Sequence, residues 1–272
     1  MPIHFEPQTG ENEHVVLIRI DRPETMNAFD MAHFRALVEA WERFNDTDDL
    51  WVAVITGTGR TFMAGADLKT YVPEITKLSK EIAKGGVDNI DGYRLDDGTR
   101  AVLRNVKIYK PIIAAVNGPC VAGGMEMLGG VDIRIATEHA KFGVMEPARG
   151  LFAGGGTTVR LPRQIPFPHA MEFLLTADAI PAAKAYEMGL LNKIVPEESL
   201  LDEAFAMARR ITKNAPLAVA ATKQSVLEGL AMPLKEAFKN ESKLSQEIFS
   251  TEDAKEGPKA FAEKRKPVWQ GK

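Results

Sequence analysis

A chain of 272 residues, 45% hydrophobic and 26% charged, has room for one large domain or a core with an appendage, and its composition excludes a disordered or fibrous protein. Lys and Arg number 34 against 37 Asp and Glu; the net charge of −3 argues against a nucleic-acid or anionic-membrane surface, so neither partner is expected. The single cysteine, Cys120, excludes an intrachain disulfide; "MPIHFEPQTGENEH" lacks a leader's basic start and apolar run, and no stretch of about 18 apolar residues occurs, so a cytoplasmic location is expected.

In chain order, "VVLIRI" (15–20) is a short β-branched run that predicts a strand. "DMAHFRALVEAWERF" follows, with Phe34, Leu37, Val38, Trp41 and Phe44 at helical spacing and Asp30 placed as the N-cap. "WVAVITG" (51–57) and "PIIAAVNG" (111–118) predict buried strands that end in glycine. Between them, 72–100 is polar and contains "KGGVDNIDG", which predicts an irregular surface insertion. "VDIRIAT" alternates Val131, Ile133 and Ile135 with Asp132 and Arg134, the period-two pattern of a half-covered strand.

Strands separated by helical crossovers imply an α/β core, here 1–196. The remainder, 197–272, is expected to be helical, with periodicity over 198–213, 216–231 and 233–250 and Pro216 and Pro233 at first-turn positions. Leu200, Leu201, Ala204, Phe205, Ala208 and Ile211 form one apolar stripe, suited to packing on the core or on another subunit.

Four stretches carry possible chemistry. In "TFMAGADLKT" (61–70), Ala64, Gly65 and Ala66 leave their backbone N–H groups uncovered, although a tight strand-to-helix turn needs the same small residues. In "NGPCVAGGMEML" a strand runs out at Gly118 and a short buried helix starts near Gly123, whose N–H has no intrahelical partner. Two backbone donors from separate turns would make an oxyanion hole. Glu126, one turn after Gly123 among Met125, Met127 and Leu128, and Glu146, after the apolar "KFGVM", are both carboxylates in apolar settings. Each taken singly reads equally as an ion-paired or helix-entry glutamate; together, beside two donors, they suit acid–base work on one water.

The triple glycine Gly154–Gly156 either walls a pocket or lets helices pack closely. "GPCVAGGM" lacks the Lys and Ser/Thr of a P-loop, no Gly-x-Ser-x-Gly elbow occurs, and Cys120 has no base nearby in sequence. His4, His14, His33, His139 and His169 are scattered without ligand spacing, so no metal is expected.

At "DRPETMNAF", "GTGRTFMAGADLKT", "KPIIAAVNGPCVAGGMEMLGGVDIRIAT", "AKFGVMEPARGLFAGGGTTVRLPR" and "AKAYEMGLLNKIVP" the chain resembles the crotonase superfamily, specifically its enoyl-CoA hydratases, in order and spacing over nearly its whole length. The resemblance implies a spiral of ββα repeats, a C-terminal helical region that builds trimers or dimers of trimers, an acyl-CoA thioester substrate and no separate cofactor. Carried over, Ala66 and Gly123 supply the oxyanion donors, Glu126 activates water for attack at C3, and Glu146 delivers the proton to C2. Asn27, Ala28, Ala64, Asp67, Leu68 and Gly124 are implied to bind substrate or CoA.

Three departures stand out: Met145 replaces a common proline, Met26 replaces a common basic residue, and "EPARGLFAGGG" lacks the usual proline-glycine pair. Lys255, Lys259, Lys264, Arg265 and Lys266 either supply that charge to the CoA phosphates, from this or a neighbouring subunit, or form a solvated basic tail. Isomerase, thioesterase or specialised dehydratase chemistry, and a non-catalytic RNA-binding relative, are the competing readings; two retained glutamates favour hydration, and the net charge disfavours RNA.

Overall fold

The computed structural model describes residues 3–85, 89, 90 and 92–272. Its centre is a six-stranded sheet ordered Ile3–Pro7, Val15–Ile20, Val52–Gly57, Ile112–Val116, Ile133–Thr137 and Lys193–Val195. The first pair is antiparallel and every later pair is parallel. Parallel strands of this kind are covered on both faces, which explains runs such as "VAVITG" with every residue buried.

The pleat sorts the strand residues between two cores. Val16, Ile18, Ile20, Ala53, Ile55 and Ala114 face one side with the helix Met31–Asp46, which contributes Phe34, Leu37, Val38, Trp41 and Phe44. Full burial of each such large side chain contributes about 1.5–3 kcal/mol. Asp30 caps that helix by accepting the N–H of His33 at 3.0 Å. On the opposite face, Val15, Leu17, Val52, Val54, Ile113, Ala115 and Ile135 meet Leu200, Ala204 and Ala208 of the helix Leu200–Thr212. The apolar stripe predicted there therefore closes the second side of the sheet.

The half-covered reading of 131–137 is corrected by this packing. Ile133 and Ile135 face the Leu200–Thr212 helix, whereas Arg134 turns to the other side, which is equally buried. Its two terminal nitrogens donate to Gln164 Oε1 at 2.8 Å and to the carbonyls of Leu190 and Val131, while Nε is buried without a partner among the described residues. The stretch 72–100 is also more regular than predicted. Tyr71–Gly85 is a helix that buries only Leu78, so its polar composition concealed it. Asn89–Ile90 and Tyr93–Arg94 form a two-stranded ladder, and Asp97–Ala101 is a short helix. Residues 86–88 and 91 of "KGGVDNIDG" lie outside the described residues.

Three further helices, Pro216–Gly229, Leu234–Phe249 and Glu252–Ala262, follow. The first is tied to the sheet by Lys223, which donates to Lys110 O at 3.0 Å and to Asp132 Oδ2 at 2.8 Å. Val226, Leu230, Leu234, Phe238 and Phe249 remain exposed on the first two. Among the described residues no helix is long and apolar enough to cross a membrane.

Candidate active site

Val52–Gly57 and Ile112–Val116 are parallel neighbours, so the loops leaving their carboxyl ends start side by side, the usual place for a site in such sheets. Asn117 locks the two exits together: its Oδ1 accepts Gly57 N–H at 3.1 Å and its Nδ2 donates to Gly59 O at 2.9 Å. Asn27, fully buried, holds the same loop from the other side, donating to Thr61 O at 2.6 Å and Thr58 O at 3.0 Å. Phe62 and Met63 then pair with Pro119, and Val121 N–H donates to Met63 O at 3.0 Å.

This pairing brings the two small-residue turns into contact. A Cβ on Gly65 would stand 2.8 Å from the Gly123 nitrogen, and one on Gly123 would stand 3.1 Å from Gly65 Cα. Gly65 has φ +90°, so the turn requires glycine for its conformation as well as for the approach. Ala122 sits at φ +49°, with its N–H donated to Gly143 O at 2.9 Å. That bend starts the helix Gly123–Leu128 with the Gly123 N–H outside any intrahelical bond.

Ala66 and Gly123 line a cavity of about 370 Å³ together with Glu126 and Glu146. Phe34, Tyr71, Val121 and Met145 make its apolar wall, while Leu68, Leu151 and Phe152 stand exposed at its rim. The four residues on which the sequence reading placed the chemistry thus converge on one space. Ala64 and Leu68 line it as well.

Asn27, Ala28, Asp67 and Gly124 do not line it. Asn27 braces the loop, and Ala28 O accepts from Arg22 at 2.8 Å. The Asp67 carboxylate pairs with Arg22 at 3.1 Å and accepts Lys69 N–H at 3.1 Å. Gly124 packs against Met63, where a Cβ would stand 3.2 Å from the Met63 Cβ.

Glu126 is held by a residue that the sequence reading noticed without assigning a role. Gly155 N–H donates to Glu126 Oε1 at 2.5 Å. Arg160 fixes the same helix, donating to Glu126 O at 3.2 Å and to Val102 O at 3.1 Å, and Arg104 caps Gly154 O. Burial pushes the Glu126 carboxyl above the ordinary glutamate range, against the pull of Gly155 N–H and of the Arg104 and Arg160 charges. Glu146 is raised too, by burial first and then by the neighbouring charge of Glu126. Its Oε2 is buried without a hydrogen-bond partner in the protein. Two acids with raised affinity for a proton, in one apolar cavity, suit proton transfer in both directions.

Of the basic C-terminal residues, Arg265 binds Glu256 and Glu263, and Lys255 binds Glu252. Burial holds the Cys120 thiol well above its ordinary value, consistent with an inert packing role.

The sequence matches the profile of the enoyl-CoA hydratase/isomerase family over residues 10–272. It is 41% identical over 259 residues to the Mycobacterium tuberculosis protein named enoyl-CoA hydratase EchA19, covering 95% of this chain and 94% of that one. It is 37% identical to the (E)-benzylidenesuccinyl-CoA hydratase of Thauera aromatica over the full length of both. A solved enoyl-CoA hydratase from Mycobacterium tuberculosis H37Rv superposes with a TM-score of 0.84 at 38% identity, over 100% of this chain and 99% of the other. With the α/β core, the helical C-terminal region and a full-length match all in agreement, the chain belongs to the enoyl-CoA hydratase/isomerase family and is a hydratase-like enzyme of crotonase fold.

Proposed function

We propose that the protein catalyses the reversible addition of water across the 2,3 double bond of a trans-2-enoyl-CoA thioester. The observation that carries this is the convergence of Glu126, Glu146, Ala66 and Gly123 on one cavity, with Glu146 Oε2 buried and unpartnered. A water between the two carboxyls would satisfy that oxygen.

The thioester carbonyl oxygen accepts from Ala66 N–H and Gly123 N–H. Ionised Glu126, held by Gly155 N–H, takes a proton from the water as its oxygen attacks C3. The C=C electrons shift toward C1–C2, and negative charge accumulates on the carbonyl oxygen. Protonated Glu146 then returns a proton to C2. The donors gain strength as that charge develops, which lowers the barrier; one such donor is worth roughly 10²–10³ in rate.

The apolar wall and the exposed rim residues Leu68, Val72, Leu95, Leu151 and Phe152 favour an acyl group larger than crotonyl. The exposed apolar side chains on Pro216–Gly229 and Leu234–Phe249 favour a trimer that covers them, which sizing chromatography tests.

The experiment is decay of the conjugated-thioester absorbance on a panel of enoyl-CoA substrates, with Glu126→Gln and Glu146→Gln alongside. Each variant should lose at least about 10²-fold in kcat. Full activity in either one overturns the shared-water mechanism.

A further inference from the structure

The turn that carries Ala66 has little secondary structure to hold it. Its upstream half is paired to Pro119 and Val121, but its downstream half hangs on Phe29. Phe29 N–H donates to Gly65 O at 2.8 Å, and Asp67 N–H donates to Phe29 O at 2.8 Å. These bonds flank Ala66 as a one-residue parallel bridge. Because successive N–H groups of extended chain point to opposite sides, the Ala66 N–H is directed away from Phe29. It has no acceptor in the protein among the described residues, and Ala66 lines the cavity. The position of this donor therefore depends on where Phe29 sits.

Phe29 belongs to a loop whose residues Met26 and Asn27 both have positive φ, so that loop needs its own fastening. Arg22 supplies it. One Nη1 donates to Ala28 O at 2.8 Å and to Asp67 Oδ2 at 3.1 Å, and Nη2 stands 3.6 Å from Asp30 Oδ2. The guanidinium thus grips the residue before Phe29, the residue after it, and the residue after Ala66. Arg22 and Asp67 are 45 residues apart in the chain, and their side chains are 16% and 15% exposed. A pair this shielded is screened far less than a surface ion pair. The planar fork reaches the carbonyl and carboxylates together, which a lysine ammonium on a flexible stem does less well.

We infer that Arg22, acting through Asp67 and the Phe29 bridge, is the positioning residue for the Ala66 oxyanion donor. The inference rests on the reading of Ala66 as a thioester donor. It also gives Asp67 a role other than the CoA contact expected from the family resemblance. Loosening the clamp lets the donor drift from the carbonyl oxygen while the cavity that binds the acyl chain stays formed. A displacement near 1 Å is enough for roughly a hundredfold loss in rate.

The test compares wild type with Arg22→Gln, Arg22→Lys and Asp67→Asn in the full-length protein. Two readouts are taken: kcat and KM on an enoyl-CoA that the wild type hydrates, and the red shift of bound 4-(dimethylamino)cinnamoyl-CoA, whose absorbance reports polarisation of the thioester carbonyl. Arg22→Gln and Asp67→Asn should lose roughly 10- to 100-fold in kcat with KM within about threefold, and the red shift should shrink. Arg22→Lys should recover part of both.

A kcat within about twofold of wild type in Arg22→Gln and Asp67→Asn overturns the inference. So does a rise in KM with an undiminished red shift, which would make this loop a CoA contact. If Arg22→Gln does not fold, the near-isosteric Asp67→Asn decides by the same two readouts. A wild type that neither hydrates the substrate nor shifts the probe removes the oxyanion reading itself. Wild-type activity and shift, matched by the variants, remove only the role of Arg22.

Discussion

Gly155→Ala is the sharpest perturbation the site offers, because it adds one methyl group beside the carboxylate proposed to activate water and almost nothing else. Gly155 does not have a positive φ, so alanine imposes no left-handed strain. The added Cβ would stand 2.8 Å from Glu126 Oε1 and closer still to Oε2 and Cδ, so that its three nearest atoms all belong to that one carboxylate. Ordinary contact begins at 3.4 Å, so the carboxylate must retreat by about 1 Å. The retreating group is the end of a flexible side chain, which makes the conformational cost small, about 0.5–1.5 kcal/mol if Glu126 leaves its rotamer well. The rate is far more sensitive: a misplacement of about 1 Å removes roughly 10²-fold from a positioned acid–base step. We therefore expect Gly155→Ala to keep its thermal midpoint within a few degrees and its KM near wild type, while kcat falls roughly a hundredfold. Initial rates by loss of thioester absorbance, beside a melting curve, check both halves. Unchanged kcat refutes the argument that Gly155 positions Glu126. A collapsed melting curve refutes the argument that the clash is relieved by the side chain.

Gly65→Ala should behave differently, losing activity and stability together. It places an L-residue at φ +90° and a Cβ 2.8 Å from backbone that cannot swing away, so denaturant unfolding should show a loss of about 1–2 kcal/mol or more. The pH–rate profile should be bell-shaped and belong to the glutamate pair, since the proposed mechanism requires Glu126 ionised and Glu146 protonated. Burial raises both, so the acid limb should lie above the ordinary glutamate value of 4.5; a limb at or below it contradicts the buried pair. Glu146→Gln should be more thermostable than wild type at neutral pH. A raised carboxyl pKa means that the folded protein holds its proton more tightly than the unfolded chain, so wild-type stability falls as pH rises from 4.5 through the folded value. The advantage of the glutamine variant should vanish near pH 4.5 and grow above it; a gap that closes with rising pH would contradict the sign.

Local patterns determined much of this protein. The spacing of Phe34, Leu37, Val38, Trp41 and Phe44 is a helix wherever it is placed, and the Asp30 cap needs only its own neighbours. Small residues at 64–66 and 122–124 permit close approach of two backbones, and apolar flanks mark Glu126 and Glu146 as unusual. What local pattern lacks is the partner across space. Arg134 has the alternation of an exposed side chain, and only Gln164 and Leu190, distant in sequence, make its burial tolerable. The helix Tyr71–Gly85 buries a single leucine, too little for its composition to announce it. The strand Ile3–Pro7 is stabilised by pairing with Val15–Ile20, and the last helix, Glu252–Ala262, carries an internal Pro258 that argues against it locally. The triple glycine was visible, but whether it walled a pocket or packed a helix depended on Glu126 lying within reach of the Gly155 N–H. Asn27 and Asp67, polar residues beside the site in sequence, proved to brace its loops because buried carbonyls and Arg22 compete for them first. Propensity and periodicity act over a few residues and so are written along the chain. The register of parallel strands, which sets two distant turns against each other at the wall of one cavity, is a property of the folded sheet alone.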